Sequence, residues 1–188
     1  FRTLLTLILG PVKDILKKEK DAEIKQSAGL IRRNAKRLYE LVNQLLDLSK
    51  LESGRMKLQV CRTNIVSFLK RIVLSFESLA ESKKIHLKFN CNEDEIKIYL
   101  DHDKIEKIFN NLLSNAFKFT RPGGAVHVNL WFDSSIGTGT GQLAVLEVAD
   151  TGKGITEDQL ERIFSRFYQA ADSSTREEEG TGIGLALT

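Results

Sequence analysis

Three residues of one short stretch have the types and spacing for phosphate chemistry. In "NNLLSNAFKFT" (110–120), Asn111, Asn115 and Lys118 fall at i, i+4 and i+7, a single stripe of a helix. Side-chain amide carbonyls ligate hard cations such as Mg²⁺, and a neighbouring lysine meets phosphate. A solvated helix face would carry the same stripe. A second group is "DTGKGI" (150–155). Asp150 ends an alternating segment on the parity of Ala144, Leu146 and Val148, so a carboxylate among apolar neighbours is expected, in need of a donor. The exocyclic amine of adenine would be such a donor. Gly152 and Gly154 permit a close approach to a ligand, and also suit a plain strand-ending turn. A third group is "GTGIGLAL" (180–187), where Gly180, Gly182 and Gly184 lead into a helix start whose free N–H groups can cradle phosphates.

Other glycines do not invite this reading. "GTGTG" (137–141) joins two strand-like segments and reads as a hairpin tip. Between the second and third groups, "ADSSTREEEG" (171–180) is polar and aperiodic, as a lid over a nucleotide would be, with Phe164 and Phe167 of "IFSRFYQ" before it as anchors.

The elements that must position these groups fall into two parts. In residues 22–52, Ile24, Ala28, Ile31, Ala35, Leu38, Val42 and Leu45 alternate steps of four and three, a heptad seam widened by Leu41 and Leu48. Gly54 ends this helix. Residues 3–20 form a shorter helix with Leu4, Leu5, Ile8, Val12, Ile15 and Leu16 on one face, and Pro11 is expected to kink or break it. The two make an antiparallel hairpin that cannot bury both its faces alone. A second copy completing a four-helix bundle is the simplest solution. From about residue 57 the pattern changes. "KLQV" (57–60) reads as a strand and 64–81 as a helix capped by Asn64. "KIHLKF", "EIKIYL", "VHVNLWF" and "LAVLEVAD" alternate as strands. Helices are expected at 103–119 and 156–164, with a last one starting near 182. Helices on one layer and strands on the other make an α+β sandwich. The domains are therefore 1–56 and 57–188.

Composition agrees with this division. The chain has 188 residues and a net charge of +3, but residues 1–56 hold 12 Lys/Arg against 7 Asp/Glu and the remainder 16 against 18. The basic part would suit an acidic partner. The cluster "RRNAKR" (32–37) lies beside the heptad seam without base-stacking aromatics, which argues against nucleic acid. No apolar run approaches the ~20 residues of a membrane span. Cys61 and Cys91 stand far apart and lack metal-ligand spacing, as small thiols of a reducing compartment do.

The four segments "NNLLSNAFKFT", "DTGKGI", "FSRFYQ" and "GTGIGLAL", in this order, resemble the N, G1, F and G2 boxes of sensor histidine kinases, and residues 1–56 resemble that family's dimerisation and histidine-phosphotransfer hairpin. The resemblance implies a second part of the histidine-kinase/gyrase/chaperone ATPase type that binds ATP with Mg²⁺. It implies Asn111 on the metal, Asn115 beside it and Lys118 on the phosphates. It implies Asp150 on the adenine amine with Gly152 and Gly154 flanking the base. Gly180, Thr181, Gly182 and Gly184 would meet the phosphates and hinge the lid, and Arg166 would reach phosphate. Phe1-Arg2-Thr3 fits the x-Arg-Thr of the family's H box, with Leu4 where that box has proline. Thr3 would then hold the position at which a hydroxyl orients water in a phosphatase reaction.

In the family, ATP phosphorylates a histidine, and the phosphoryl group passes to an aspartate of a response-regulator receiver domain. By this register the acceptor histidine and its acidic neighbour would precede Phe1. His86, His102 and His127 lie away from the hairpin, on outer strand faces or at a helix start, and do not replace it. These 188 residues are thus expected to bind Mg-ATP without autophosphorylating. The resemblance also implies that they form the cytoplasmic portion of a protein anchored in a bacterial inner membrane. "LTLILGP", "DSST" and "GTGIGLAL" together are similar to hybrid sensors of Bacteroides-type bacteria, which carry a receiver on the same polypeptide. The competing reading is a degenerate, non-catalytic nucleotide-binding dimerisation module. Gyrase-, repair- or chaperone-type ATPases lack such a heptad hairpin before the nucleotide domain.

Overall fold

The computed structural model describes residues 2–19, 21–133, 143–169 and 182–188. They form two compact units, chiefly Phe1–Met56 and Lys57–Ala186.

The first unit is a helical hairpin of α1 (Arg2–Lys18) and α2 (Ala22–Glu52). Asp21 starts α2, its carboxylate accepting from the N–H groups of Glu23 (2.8 Å) and Ile24 (3.3 Å). α1 is assigned as one unbroken helix through Pro11, so the expected break does not occur. The heptad seam divides in two. Ala28 and Ala35 are buried, together with Leu5 and Val12 of α1. Ile24, Ile31, Leu38 and Leu45 recur every seven residues and stay 44–49% exposed. Ile8 and Ile15, expected on the buried face of α1, are exposed as well. A hairpin has one internal seam, and side chains about 40–60° around α2 from it stay exposed.

The second unit is the expected α+β sandwich. Its elements are β1 (Cys61–Asn64), α3 (Ile65–Ser75), α4 (Glu77–Lys83), β2 (His86–Cys91), β3 (Lys97–Leu100), α5 (His102–Phe119), β4 (Ala125–Asp133), β5 (Leu143–Asp150) and α6 (Glu157–Leu160), with a 3₁₀ turn at Leu185–Leu187. β2 runs parallel to β4, and β4 antiparallel to β5. β1 and β3 form a separate antiparallel pair with Cys61 opposite Leu100. Val126, Val128 and Leu130 of β4 point to one side with period two and are buried. Against them lie Phe68, Leu69 and Ile72 of α3 and Phe109, Leu113 and Phe117 of α5.

Four expected elements differ. The strand at 57–60 does not form, and β1 begins at Cys61 instead. The Gln59 N–H goes to the Asp101 carboxylate (2.8 Å) and not to a ladder. The helix expected over 64–81 divides at Phe76, whose ring stacks on Phe117 with centroids 5.6 Å apart. Asn64 does cap α3, accepting from the Val66 N–H (3.1 Å), and it also holds the Ile96 N–H (3.2 Å). The helix expected over 156–164 is the single turn α6, and the one expected from 182 is the 3₁₀ turn at Leu185–Leu187.

Candidate nucleotide site

α5 presents the polar stripe because its opposite side is committed to the core. Phe109, Leu113, Ala116 and Phe117 are buried, while Asn111, Asn115 and Lys118 are half-buried. Asp101 caps the helix through the Lys104 N–H (3.2 Å).

Two loops meet this helix. At its middle, the Asn111 amide donates to the Thr188 hydroxyl (3.1 Å), which donates to the Gly184 carbonyl (3.1 Å). A Cβ at Gly184 would overlap the Asn111 carbonyl oxygen. Glycine is needed there for space, since φ −53° is ordinary helical backbone. At the C-terminal end of the helix, a Cβ on Gly152 would stand 2.7 Å from the Phe119 carbonyl oxygen and 2.6 Å from Asp150 Oδ1. The Gly152 N–H donates to that Asp150 oxygen (2.8 Å). The Lys118 and Lys153 ammonium groups lie 5.0 and 5.6 Å from the centre of the Phe119 ring.

Asp150 corrects an expectation. Its parity with Val148 suggested a carboxylate among apolar neighbours, but Asp150 is exposed. The strand ends there, and the carboxylate folds back onto the Gly152 N–H instead of following the pleat. Gly154 has φ +72° with open space where a Cβ would be, so its requirement is conformational. Gly182, at φ +65°, packs a would-be Cβ 2.7 Å from the Phe167 backbone. Phe167 is itself at φ +60°, and its N–H donates to the Gly182 carbonyl (2.7 Å). These two residues bracket 170–181 in the sequence. Arg166 is exposed. Gly180, Thr181 and the side chain of Thr3 lie outside the described residues, as do 137–141 and 171–180.

The structure thus brings Asn111 against Gly184, and Asp150 and Gly152 against the end of the same helix. Sequence reasoning missed Thr188, whose hydroxyl holds Asn111, and the Phe119 carbonyl that crowds Gly152. A lone threonine and a main-chain oxygen carry no motif. Around the helix start, Asp101 is held below the usual carboxylate range, first by the Gln59 N–H and, against the opposing effect of burial, by the Lys104 N–H. Asp103 is lowered by the side chains of Lys104 and Lys107.

Residues 1–54 match the family described as "His Kinase A (phospho-acceptor) domain", and residues 100–188 match "Histidine kinase-, DNA gyrase B-, and HSP90-like ATPase". The chain belongs to the histidine kinases. It is 40% identical over 188 residues to hybrid signal transduction histidine kinase D of Dictyostelium discoideum, covering 99% of this chain and 12% of that protein. It is 35% identical over 191 residues to histidine kinase P4 of Formosa agariphila, covering 100% of this chain and 13% of that protein. The chain therefore spans about an eighth of the length of these relatives. Among solved structures, full-length ShkA in complex with AMPPNP superposes with a TM-score of 0.81 at 26% identity, over the whole of this chain and 37% of ShkA. Acinetobacter baumannii histidine kinase AdeS shares the fold, with a TM-score of 0.62 at 22% identity over 99% of this chain and 81% of that one. Histidine kinase ThkA, solved with the response regulator protein TrrA, has a TM-score of 0.60 at 19% identity over 89% of this chain and 48% of that one. Among the described residues, no helix is long and apolar enough to cross a membrane.

Proposed function

We propose that these residues are the catalytic core of a two-component phosphotransferase. The second unit binds ATP with Mg²⁺. The γ-phosphoryl group goes to a histidine that is not among these 188 residues, and from it to an aspartate of a response-regulator receiver. The observation that carries this reading is the seating of Asn111 against Gly184, which joins the amide stripe of α5 to the glycine turn. That cradle is too tight for any side chain, as a surface shaped for phosphate oxygens and a small cation would be.

The roles follow from position. The second oxygen of Asp150 accepts the adenine amine while its first is held by the Gly152 N–H. Gly152 and Gly154 leave the base face open. Asn111 holds the cation, Asn115 lies one turn further along, and Lys118 faces the phosphates. Gly180, Thr181, Gly182 and Gly184 line the phosphates, and Arg166 reaches them from the other end of the lid. Bound Mg²⁺ supplies charge neutralisation at the phosphates, and the protein's contribution is positioning. ShkA was solved with an ATP analogue, which supports nucleotide at this site.

The open stripe of Ile24, Ile31, Leu38 and Leu45 supports pairing with a second copy in a four-helix bundle. The ThkA–TrrA complex supports a receiver as the acceptor. Thr3 would orient water for dephosphorylation of that receiver. ATP as donor puts this part on the cytoplasmic side of its membrane-anchored parent. No histidine lies in residues 1–56, so a polypeptide of these 188 residues binds Mg-ATP without phosphorylating itself.

Calorimetry with an ATP analogue tests the reading. Asp150→Asn presents an amide to the adenine amine and is expected to weaken binding about tenfold or more. Equal affinity of parent and variant would refute the assignment. A chain extended upstream through a His-acid pair is expected to autophosphorylate. Binding without transfer there would favour the non-catalytic module.

A further inference from the structure

Asp101 is buried, 7% exposed, yet no step above uses it. Its two oxygens serve different parts of the chain. Oδ1 accepts the Lys104 N–H at 3.2 Å and caps α5. Oδ2 accepts the Gln59 N–H at 2.8 Å, from 42 residues earlier. Gln59 lies in residues 57–60, which have no regular structure and run from the end of the hairpin unit, Met56, to the start of β1, Cys61. One carboxylate therefore holds both the connector and the helix that bears Asn111 and Asn115. We propose that Asp101 is a positioning residue that pins the connector at Gln59 to the start of α5 and so shortens the free chain between the two units.

At Asp101 the two N–H groups meet different oxygens, and an ionised carboxylate supplies both acceptors, whereas an asparagine in the same pose would set its NH₂ against one of them. The bond is charge-assisted, which strengthens it relative to a bond between neutral groups. Lowering of the Asp101 pKa by the Gln59 N–H agrees with a bond made to the ionised form. Leu58 and Val60, on either side of Gln59, are exposed and do not anchor the segment by burial.

The consequence can be sized. Past the Arg55 N–H, which bonds the Lys50 carbonyl of α2, residues 56–58 are free with the pin in place and 56–60 without it. Lengthening a flexible connector in this ratio lowers the effective concentration of its ends for one another about twofold. If the second unit phosphorylates the hairpin, loss of the pin lowers the turnover rate about twofold and leaves KM for ATP unchanged. This last step rests on the function proposed above. The pin itself does not.

Two substitutions separate the pin from the cap. Gln59→Pro removes the donor N–H and leaves Asp101 free to cap α5. Asp101→Asn keeps one acceptor oxygen and sets an NH₂ donor against either the Gln59 or the Lys104 N–H, each of which meets its own oxygen in the parent. The measurement is the rate of tryptic cleavage after Arg55 and Lys57 in the 188-residue chain, with amide hydrogen exchange at Gln59 in the parent and in Asp101→Asn. Both variants are expected to speed cleavage about three- to tenfold, and the double variant to be no faster than Gln59→Pro alone. Gln59→Pro is expected to keep nucleotide affinity within about twofold. Unchanged cleavage in Gln59→Pro overturns the proposal, and if Asp101→Asn does not fold, Gln59→Pro decides alone. Additive effects in the double variant overturn it too. A parent chain that binds no nucleotide would sink the kinase reading and leave this test intact.

Discussion

Gly184→Ala gives the sharpest test of the nucleotide site because it separates function from stability. The backbone at Gly184 is helical, at φ −53° and ψ −58°, so alanine incurs no conformational strain. Alanine is in fact favoured over glycine in a helical conformation by up to about 1 kcal/mol. Against this, its Cβ would overlap the Asn111 carbonyl oxygen and stand 2.9 Å from Cγ and 3.1 Å from Nδ2. Asn111 must leave its rotamer, at about 0.5–1.5 kcal/mol, and release the Thr188 hydroxyl, worth about 0.5–1.5 kcal/mol. The opposing effects leave a net destabilisation of about 0–2 kcal/mol. Metal affinity responds differently. Displacing a group that orients a ligand typically weakens metal binding about 10–100-fold. The expected result is a nearly unchanged Tm together with loss of the Mg²⁺-dependent part of nucleotide affinity. Calorimetry with an ATP analogue, with and without Mg²⁺, measures the latter, and thermal unfolding the former. Binding within about twofold of the parent in the presence of Mg²⁺ would refute the placement of Asn111 at the cation.

Gly182→Ala is expected to behave in the opposite way. Its φ of +65° and the Phe167 backbone 2.7 Å from a would-be Cβ predict a loss of about 1–3 kcal/mol, read as a lower urea midpoint with an unchanged slope. Ile31→Glu with Leu38→Glu should convert dimer to monomer by light scattering while leaving the far-ultraviolet spectrum of the second unit unchanged, because both side chains are about half exposed in the single chain. Persistence of the dimer would refute the assigned face. Asp101 and Asp103 have folded pKa values below their ordinary 3.8. The unfolded chain therefore binds their protons first, and their contribution is complete above that value and is lost as pH falls below it. The groups facing them are the Gln59 N–H and Lys104 at Asp101, and Lys104 and Lys107 at Asp103, with the His102 ring between them held by Thr63 at 2.6 Å. Asp103→Asn should flatten the fall in Tm below pH 4, and an unaltered acid slope would contradict this.

Much of the architecture was legible because it rests on periodicity. The 3.5-residue repeat of α2 and the alternation of Val126, Val128 and Leu130 each reflect one face meeting a core, which local spacing records. The polar stripe of α5 was legible for the same reason, as the complement of Phe109, Leu113 and Phe117. Where a neighbour distant in the chain intervened, local spacing misled. Phe76 belongs to a helical pattern, but its ring stacks on Phe117 and the helix divides. "KLQV" alternates like a strand, but the Gln59 N–H is taken by Asp101. Asp150 has the parity of a buried residue, but the strand ends and its carboxylate turns to Gly152.

The sequence by itself determined the inventory: a heptad hairpin, an α+β sandwich, two asparagines and a lysine on one stripe, and glycines at three loops. These follow from residue type and spacing, which act over a few residues. Only the tertiary structure decided what each glycine is for. Gly182 and Gly154 serve through positive φ, Gly184 through the room it leaves Asn111, and Gly152 through its approach to the Phe119 carbonyl. It also decided that the hairpin seam divides into a buried row and an open one, and that Asp101 serves two masters. The physical reason is the same in each case. Overlap of atoms and the sharing of a carboxylate depend on which distant segments meet in space, and no local pattern carries that information.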